Sequence, residues 1–295
     1  MSQKLVQIQT PVHPQVGLQT EESRRFLAQQ IKQDIDAYCL QAYSDGFRSH
    51  LGASEIGHKC DRYLWYKFRW MARENHPGLT LRLFNRGKLE ELRFREWLIG
   101  IGAEILDSNT QERMSAVGGH FGGSRDGLIR LRRYGIDALL LTEYKTNGTG
   151  KGFNELLDSG IEHAKPQHWA QICVYGEGFN IDYCLYLNIC KNDDNIHCEV
   201  KALDRVYGRN LIERASRIIR TPVAPEKLSK DPSYYECKWC PARKICHESA
   251  LPVKNCRSCV NASPEDKGEW RCAHFNANIP REWIAQGCDQ WRPLG

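Results

Sequence analysis

Asp126, Glu143 and Lys145 are the residues whose types and spacing can do chemistry together. Glu143 and Lys145 stand two apart at the end of the run IDALLLTEYK, which begins at Ile136. Residues two apart on a strand share a face, so this carboxylate and ammonium point one way and Tyr144 the other. Asp126 follows the pair Gly122-Gly123 on the preceding strand. Two carboxylates, with the Tyr144 backbone carbonyl to complete the set, make an oxygen site for a hard divalent cation. Such a cation activates a water, neutralises charge developing on a phosphate and helps the leaving oxygen depart, the three needs of phosphodiester hydrolysis. Lys145 is placed to hold the attacking water or a non-bridging phosphate oxygen. A Glu-x-Lys pair alone is most simply a solvated strand face. The apolar LLL before this one, and the aspartate on the adjoining strand, set it apart.

Positioning these groups requires a hairpin. His120 to Asn147 reads as two strands joined by a tight turn at Tyr134-Gly135, the last part of a meander over 103–147. Around it the chain predicts helices. Phe26, Ile31, Ile35, Tyr38 and Leu40 recur at roughly helical spacing over 21–43. Ser54 reads as an N-cap opening an aromatic helix through Trp70. A long helix over 80–99 carries Glu90-Glu91, and a further helix covers 151–163. Pro166 suits the first turn of another, 167–176. Strands over 181–189 and 196–202 and a helix over 204–220 complete an α/β layout with a central mixed sheet flanked by helices. On the helix after Pro166, His168, Gln171 and Tyr175 fall on one face. That face is either the polar edge of a packed helix or a surface meeting a DNA backbone.

Gly-x2-Asp at 123–126, Glu-x-Lys at the end of an apolar strand, then Gln-x3-Tyr at 171–175 resembles the PD-(D/E)XK nucleases of the RecB type. The resemblance covers roughly residues 50–250, in matching order along the chain. It implies a restriction-endonuclease-like core and a Mg²⁺- or Mn²⁺-dependent deoxyribonuclease acting on DNA ends or single strands, in repair, recombination or mobile-element DNA processing. Asp126 and Glu143 would then bind metal, Lys145 would be catalytic, and Gln171, Tyr175 and His168 would orient the DNA. An upstream helical acid four residues after a glycine completes the metal cluster in that family. Here it is Glu91, four after Gly87, with Glu90 as the fallback. Arg62, on a family-like segment, is expected at the DNA or beside the acid cluster. An endonuclease on branched or duplex DNA would use the same residues. A non-catalytic DNA- or protein-binding module could keep the fold, but it has no need of Glu-x-Lys beside Asp126.

Thirteen cysteines are many for a reducing compartment, where disulfides do not persist, and give weight to metal roles. Cys237, Cys240 and Cys246 form C-x2-C-x5-C and need a fourth ligand, for tetrahedral zinc or an iron–sulfur cluster; spacing alone does not choose, and His247 is adjacent. The resemblance chooses. CRISPR-associated RecB-like exonucleases and the AddB nuclease domain pair this spacing with one cysteine ahead of the core, matched here by Cys60. The four would hold a 4Fe-4S cluster, with Zn²⁺ as the alternative. Cys256, Cys259, Cys272 and Cys288 form a second set of structural Zn²⁺ spacing, with His274 as a possible substitute. Trp270, Trp283 and Trp291 would fill its small core. This tail departs from the family pattern and could bind DNA or a protein partner, or cap the fold. Cys39, Cys173, Cys184, Cys190 and Cys198 read as buried small hydrophobes.

The 295 residues divide into a flexible arm over 1–20, a nuclease-type domain over 21–250 and a cysteine-rich tail over 251–295. The net charge of +5 permits a nucleic-acid partner without requiring one. With no apolar run approaching the ~20 residues of a membrane span, and no apolar core at the N-terminus for a signal peptide, a cytoplasmic protein is expected.

Overall fold

Thr20 opens the first helix, α1 (Glu21–Tyr43), by accepting the Ser23 N–H at 3.1 Å on its hydroxyl. Glu21 and Glu22 occupy the first turn, where the helix dipole favours negative charge. The computed structural model describes residues 18–44, 46–106, 112–148 and 150–294, so most of the expected N-terminal arm lies outside the described residues. Residues 18–44, 46 and 74–89 form one unit, and the described residues of 47–73 and 90–294 a second. In the first, Arg82 pairs with Asp36 of α1. Phe26, Ile31, Ile35 and Leu40 are exposed and Cys39 is buried. The apolar spacing therefore marked the helix but not a core-facing stripe. No helix among the described residues is long and apolar enough to cross a membrane.

The second unit begins with β1 (Leu51–Gly52). Ser54 does not cap a helix. The chain turns through 53–57, and α2 (Asp61–Phe68) starts at Cys60, whose Sγ accepts the Tyr63 N–H at 3.3 Å. Gly57 accounts for the delay. A side chain there would sit 2.8 Å from the Gln167 Cα, so this segment is pressed onto a later helix instead of carrying one of its own. The long helix α3 (Gly78–Gly100) spans both units, and its residues from Glu90 onward belong to the second.

The meander consists of β2 (Glu104–Ile105), β3 (Arg113–Ala116), β4 (Phe121–Ser124), β5 (Gly127–Leu131) and β6 (Ile136–Asn147). The turn between β5 and β6 falls where the sequence places it, with Gly135 left-handed at φ 72°. The two halves of the expected first strand join different sheets. β4 lies between β1 and β3 in a small sheet, whereas β5 belongs to the main sheet, so Arg125 and Asp126 sit at the corner between them. A helical crossover, α4 (Lys151–Ala164) and α5 (Pro166–Phe179), leads to β7 (Tyr183–Cys190), followed by β8 (Ile196–Ala202). Gly160 breaks α4 at φ 71°, and Glu199 of β8 accepts the freed Ile161 N–H at 2.9 Å.

The main sheet runs β2-β5-β6-β7-β8, with β6 and β7 parallel and the other pairs antiparallel. One face packs Tyr144, Leu140 and Ile129 under Phe94 and Leu98 of α3. The other packs Leu141, Cys184 and Tyr186 in the larger core with α5 and α6 (Arg205–Arg220), whose N-cap Asp204 accepts the Tyr207 N–H at 2.8 Å. β6 is thus covered on both sides, which is why it reads as a continuous apolar run.

The remaining chain carries α7 (Tyr235–Lys238), α8 (Arg243–Glu248), β9 (Ala262–Pro264), β10 (Trp270–Cys272), β11 (Ala277–Asn278) and α9 (Arg281–Ile284), the three strands forming a sheet of their own. Of the tryptophans expected to fill the tail, Trp270 is buried and Trp291 donates to the Ser258 Oγ at 3.1 Å. Trp283 is exposed. Cys198 is also exposed, because β8 is an edge strand with one open face. Cys39, Cys173, Cys184 and Cys190 are buried.

Candidate active site

The β5–β6 register pairs Gly127 with Thr142, which puts Asp126 opposite Glu143. The Tyr144 backbone N–H donates to Asp126 Oδ2 at 2.8 Å and fixes the aspartate there. Glu143 is fully buried. Its Oε1 accepts from the Lys145 ammonium, while its Oε2 has no partner. Burial pushes the Glu143 carboxyl up to about 8 against the pull of Lys145, and Asp126 and Glu91 add to the rise by like charge. Burial likewise raises Asp126 above the usual carboxylate range, opposed by Lys145 and the Tyr144 N–H. Burial disfavours the Lys145 charge, yet Glu143 and Asp126 hold its pKa above the ordinary lysine value. Two carboxyls are thus crowded beside one ammonium, with an oxygen unsatisfied.

Glu91, on α3, is half-buried and near enough to contribute to the Glu143 shift. Glu90 is buried and pairs with Arg93 at 2.7 Å. The structure therefore brings Asp126, Glu143 and Lys145 together with Glu91 nearby, while Glu90 is committed to an ion pair.

The α5 face lies against this acid cluster. Tyr175 is buried and hydrogen-bonds with Gln171, also buried. The Tyr175 hydroxyl occupies the space in front of Gly123, where a Cβ would come within 2.3 Å of it. That contact is a reason for glycine at the start of Gly-x2-Asp. Gln171 and Tyr175 are thus buried beside the acid cluster and do not lie on an outer surface. His168 Nδ1 lies 2.8 Å from the Tyr186 hydroxyl, which accepts from Asn188 Nδ2 at 3.0 Å. The Tyr186 hydroxyl thus sits between the Asn188 amide and the His168 ring. Burial, then Lys145, pushes His168 down to about 3.

Tyr186 and Asn188 were absent from the sequence expectations. The parallel register places Tyr186 beside Glu143 and Asn188 beside Lys145, and both are fully buried. The one available signal was Asn188, a lone amide in the apolar run YCLYLNIC. Arg62 is not at the acid pocket. Its Nε donates to Tyr66 Oη at 2.9 Å and its guanidinium to the Pro225 carbonyl at 2.7 Å, which ties α2 to the chain after α6. Arg132 pairs with Asp137 at 3.0 Å on the solvated hairpin edge.

Both cysteine sets converge. Cys60, Cys237, Cys240 and Cys246 line one small cavity, with His58 and His247 on its wall. Cys256, Cys259, Cys272 and Cys288 line another, with His274. Burial, then the three neighbouring thiols of its set, push Cys240 and Cys256 each up to about 11. As placed, no three His, Cys, Asp or Glu side chains among the described residues are set to hold a metal ion. A metal at any of these sets would call for side-chain adjustment. The donors suit their metals in kind: carboxylate oxygens with one unsatisfied for a hard cation, and four thiols for zinc or iron–sulfur.

No protein-family profile and no curated protein matches the chain. Among solved structures, one titled crystal structure of SSO0001 is 17% identical with a TM-score of 0.43, over 73% of this chain and 96% of that one. An alkaline exonuclease (LHK-Exo) from Laribacter hongkongensis is 16% identical with a TM-score of 0.42, over 63% of this chain and 90% of its own, and its complex with dAMP gives the same values.

Proposed function

We propose that the chain is a divalent-metal-dependent nuclease that hydrolyses phosphodiester bonds of DNA, working from strand ends. The observation that carries this reading is the fully buried Glu143, one oxygen held by Lys145 and the other without a partner, directly across from Asp126. Two buried carboxyls sharing one ammonium are costly, and a cation between them offsets the cost. Mg²⁺ or Mn²⁺, when bound, supplies charge neutralisation at the phosphate and an acidified water.

The chain's own residues do the rest. The Tyr144 N–H holds one Asp126 oxygen and leaves the other for the metal. Glu143 and Glu91 complete the acidic set with the Tyr144 carbonyl. Lys145 keeps its proton in this field and stabilises the negative charge that grows on the phosphate oxygens. Tyr175 and Gln171 pack over Gly123, and the hydrogen-bonded His168, Tyr186 and Asn188 set the surroundings of Lys145. The cysteines belong to the same reading. Cys60, Cys237, Cys240 and Cys246 hold a 4Fe-4S cluster, with zinc the alternative at the same thiols, and Cys256, Cys259, Cys272 and Cys288 hold Zn²⁺. The first set ties α2 to α7 and α8, closing a very long loop.

The deciding experiment is cleavage of linear and circular DNA by the wild type and Lys145→Ala with Mg²⁺ or Mn²⁺. Degradation of linear DNA alone, lost in the variant while DNA binding persists, supports the reading. Wild-type-like cleavage by Lys145→Ala removes it.

A further inference from the structure

Away from the acid pocket, a cavity of about 710 Å³ opens within the second unit. Its walls come from β3, β4, the 49–50 segment and the C-terminal residues 257–284. That volume lies in the range of small-molecule sites.

The charge around it is one-sided. Arg113, Arg257, Lys267 and Arg281 line the cavity against a single carboxylate, Asp266, and none of the four has a carboxylate within 4.0 Å among the described residues. Arg257 is 1% exposed. One of its guanidinium nitrogens donates to the Arg48 and Ser49 carbonyls at 3.2 Å, while Nε and the other nitrogen have no partner. The rings of Phe68, Trp70 and Trp270 surround it at 4.4, 4.4 and 4.7 Å. Behind it lies Arg69, also buried, over Trp270 and Trp65. Two like charges buried without an acid project a positive field into the cavity, since low-dielectric surroundings screen it little. His50 registers that field: burial, then Arg113, Arg48 and Arg257, push it down to about 4. As a neutral ring it accepts from Arg113 at 2.6 Å and steadies that guanidinium at the cavity wall.

We propose that this cavity is a nucleotide-binding pocket, in which Arg113, Lys267 and Arg281 grip the phosphate over the buried Arg257. Forked guanidiniums suit phosphate oxygens, and the buried Trp70 and Trp270 rings hold Arg257 in place behind them. The ligand is either a free nucleotide or a nucleotide within a strand. Gly122 lines the cavity, and Asp126 is four residues further on, at most ~14 Å along an extended chain. A strand lying in the pocket is therefore close to the acid cluster, yet nucleotide binding here stands without any cleavage there.

Isothermal titration calorimetry on the full-length protein, without added divalent cation, tests it with thymidylate, thymidine, inorganic phosphate and a short oligothymidylate. Thymidylate is expected to bind more tightly than phosphate, with thymidine silent. The exposed double variant Arg113→Gln/Lys267→Gln should weaken thymidylate at least about tenfold, as loss of charge-assisted bonds implies, and circular dichroism should show its fold intact. Lys145→Ala should leave binding unchanged. Oligothymidylate binding more tightly than thymidylate identifies a strand as the source, and equal affinity identifies a free nucleotide. Either result keeps the pocket. Thymidine binding as tightly as thymidylate, unchanged affinity in the double variant, or loss in Lys145→Ala instead overturns it.

Discussion

The backbone N–H of Tyr144 donates to Asp126 Oδ2 at 2.8 Å, so the strand carrying Glu143 and Lys145 also fixes the carboxylate across from them. The pocket's three charged groups are therefore held by one hairpin, and the spacing between its carboxylates follows from strand pairing.

Lys145→Ala should lower cleavage by at least about a hundredfold, the loss typical when a donor to developing charge is removed. DNA affinity should change little. Single-turnover cleavage together with a binding titration measures both, and a parallel fall in affinity and rate would assign Lys145 to binding alone.

Mg²⁺ should stabilise the folded wild type by about 2.7 kcal/mol at a concentration a hundred times its dissociation constant. Glu143→Gln and Asp126→Asn should lose most of that gain while still folding. Thermal unfolding with and without the cation reads this directly. Equal gains in all three proteins would place the cation elsewhere.

His168 predicts an acid-side loss of stability. Its folded pKa of about 3 lies below the ordinary 6.5, so the unfolded chain takes up a proton that the native state refuses. The contribution is intact above 6.5 and falls away as pH drops from there toward 3. His168→Gln should flatten the decline in unfolding free energy between about pH 7 and about pH 5. Parallel declines in variant and wild type would count against a neutral buried imidazole.

Gly123→Ala should cost about 1–3 kcal/mol, the usual range for overpacking, because its Cβ meets the Tyr175 hydroxyl. The cost should shrink in a Tyr175→Phe background, where the clashing atom is gone. Denaturant unfolding of the double-mutant cycle tests this, and strict additivity would exclude the contact as the cause.

Anaerobically purified protein should be brown and carry iron, sulfide and zinc. Cys60→Ser should lose the iron and keep the zinc, and Cys272→Ser the reverse. A colourless protein with zinc at both sites would remove the iron–sulfur assignment and leave the acid pocket untouched.

The hairpin was legible because strand alternation is local: Glu143 and Lys145 share a face whatever else the chain does. Tyr186 and Asn188 were not, because a parallel partner's register depends on the whole α4–α5 crossover and has no local signature. Ser54 misled for a related reason. Its capping signal was real in type, but Gly57 packs against α5 and moves the helix start to Cys60. Arg62 follows an expected cysteine, yet its partners are carbonyls some 160 residues later, and no spacing announces such contacts. Arg257 was equally silent, a lone arginine between two cysteines whose aromatic neighbours come from 68–70 and 270.

The place of Arg257 also governs how the molecule can be divided. Phe68 and Trp70 precede the sheet in sequence, yet the cation filling the space between them arrives from the tail, with Trp270 closing the far side. Ending the chain near residue 250 would unroof those rings and expose the side of the core that they cover. Excising the tail to obtain a minimal catalytic fragment should therefore give an aggregation-prone product, whereas a tail made separately should recombine with it as two halves of one fold.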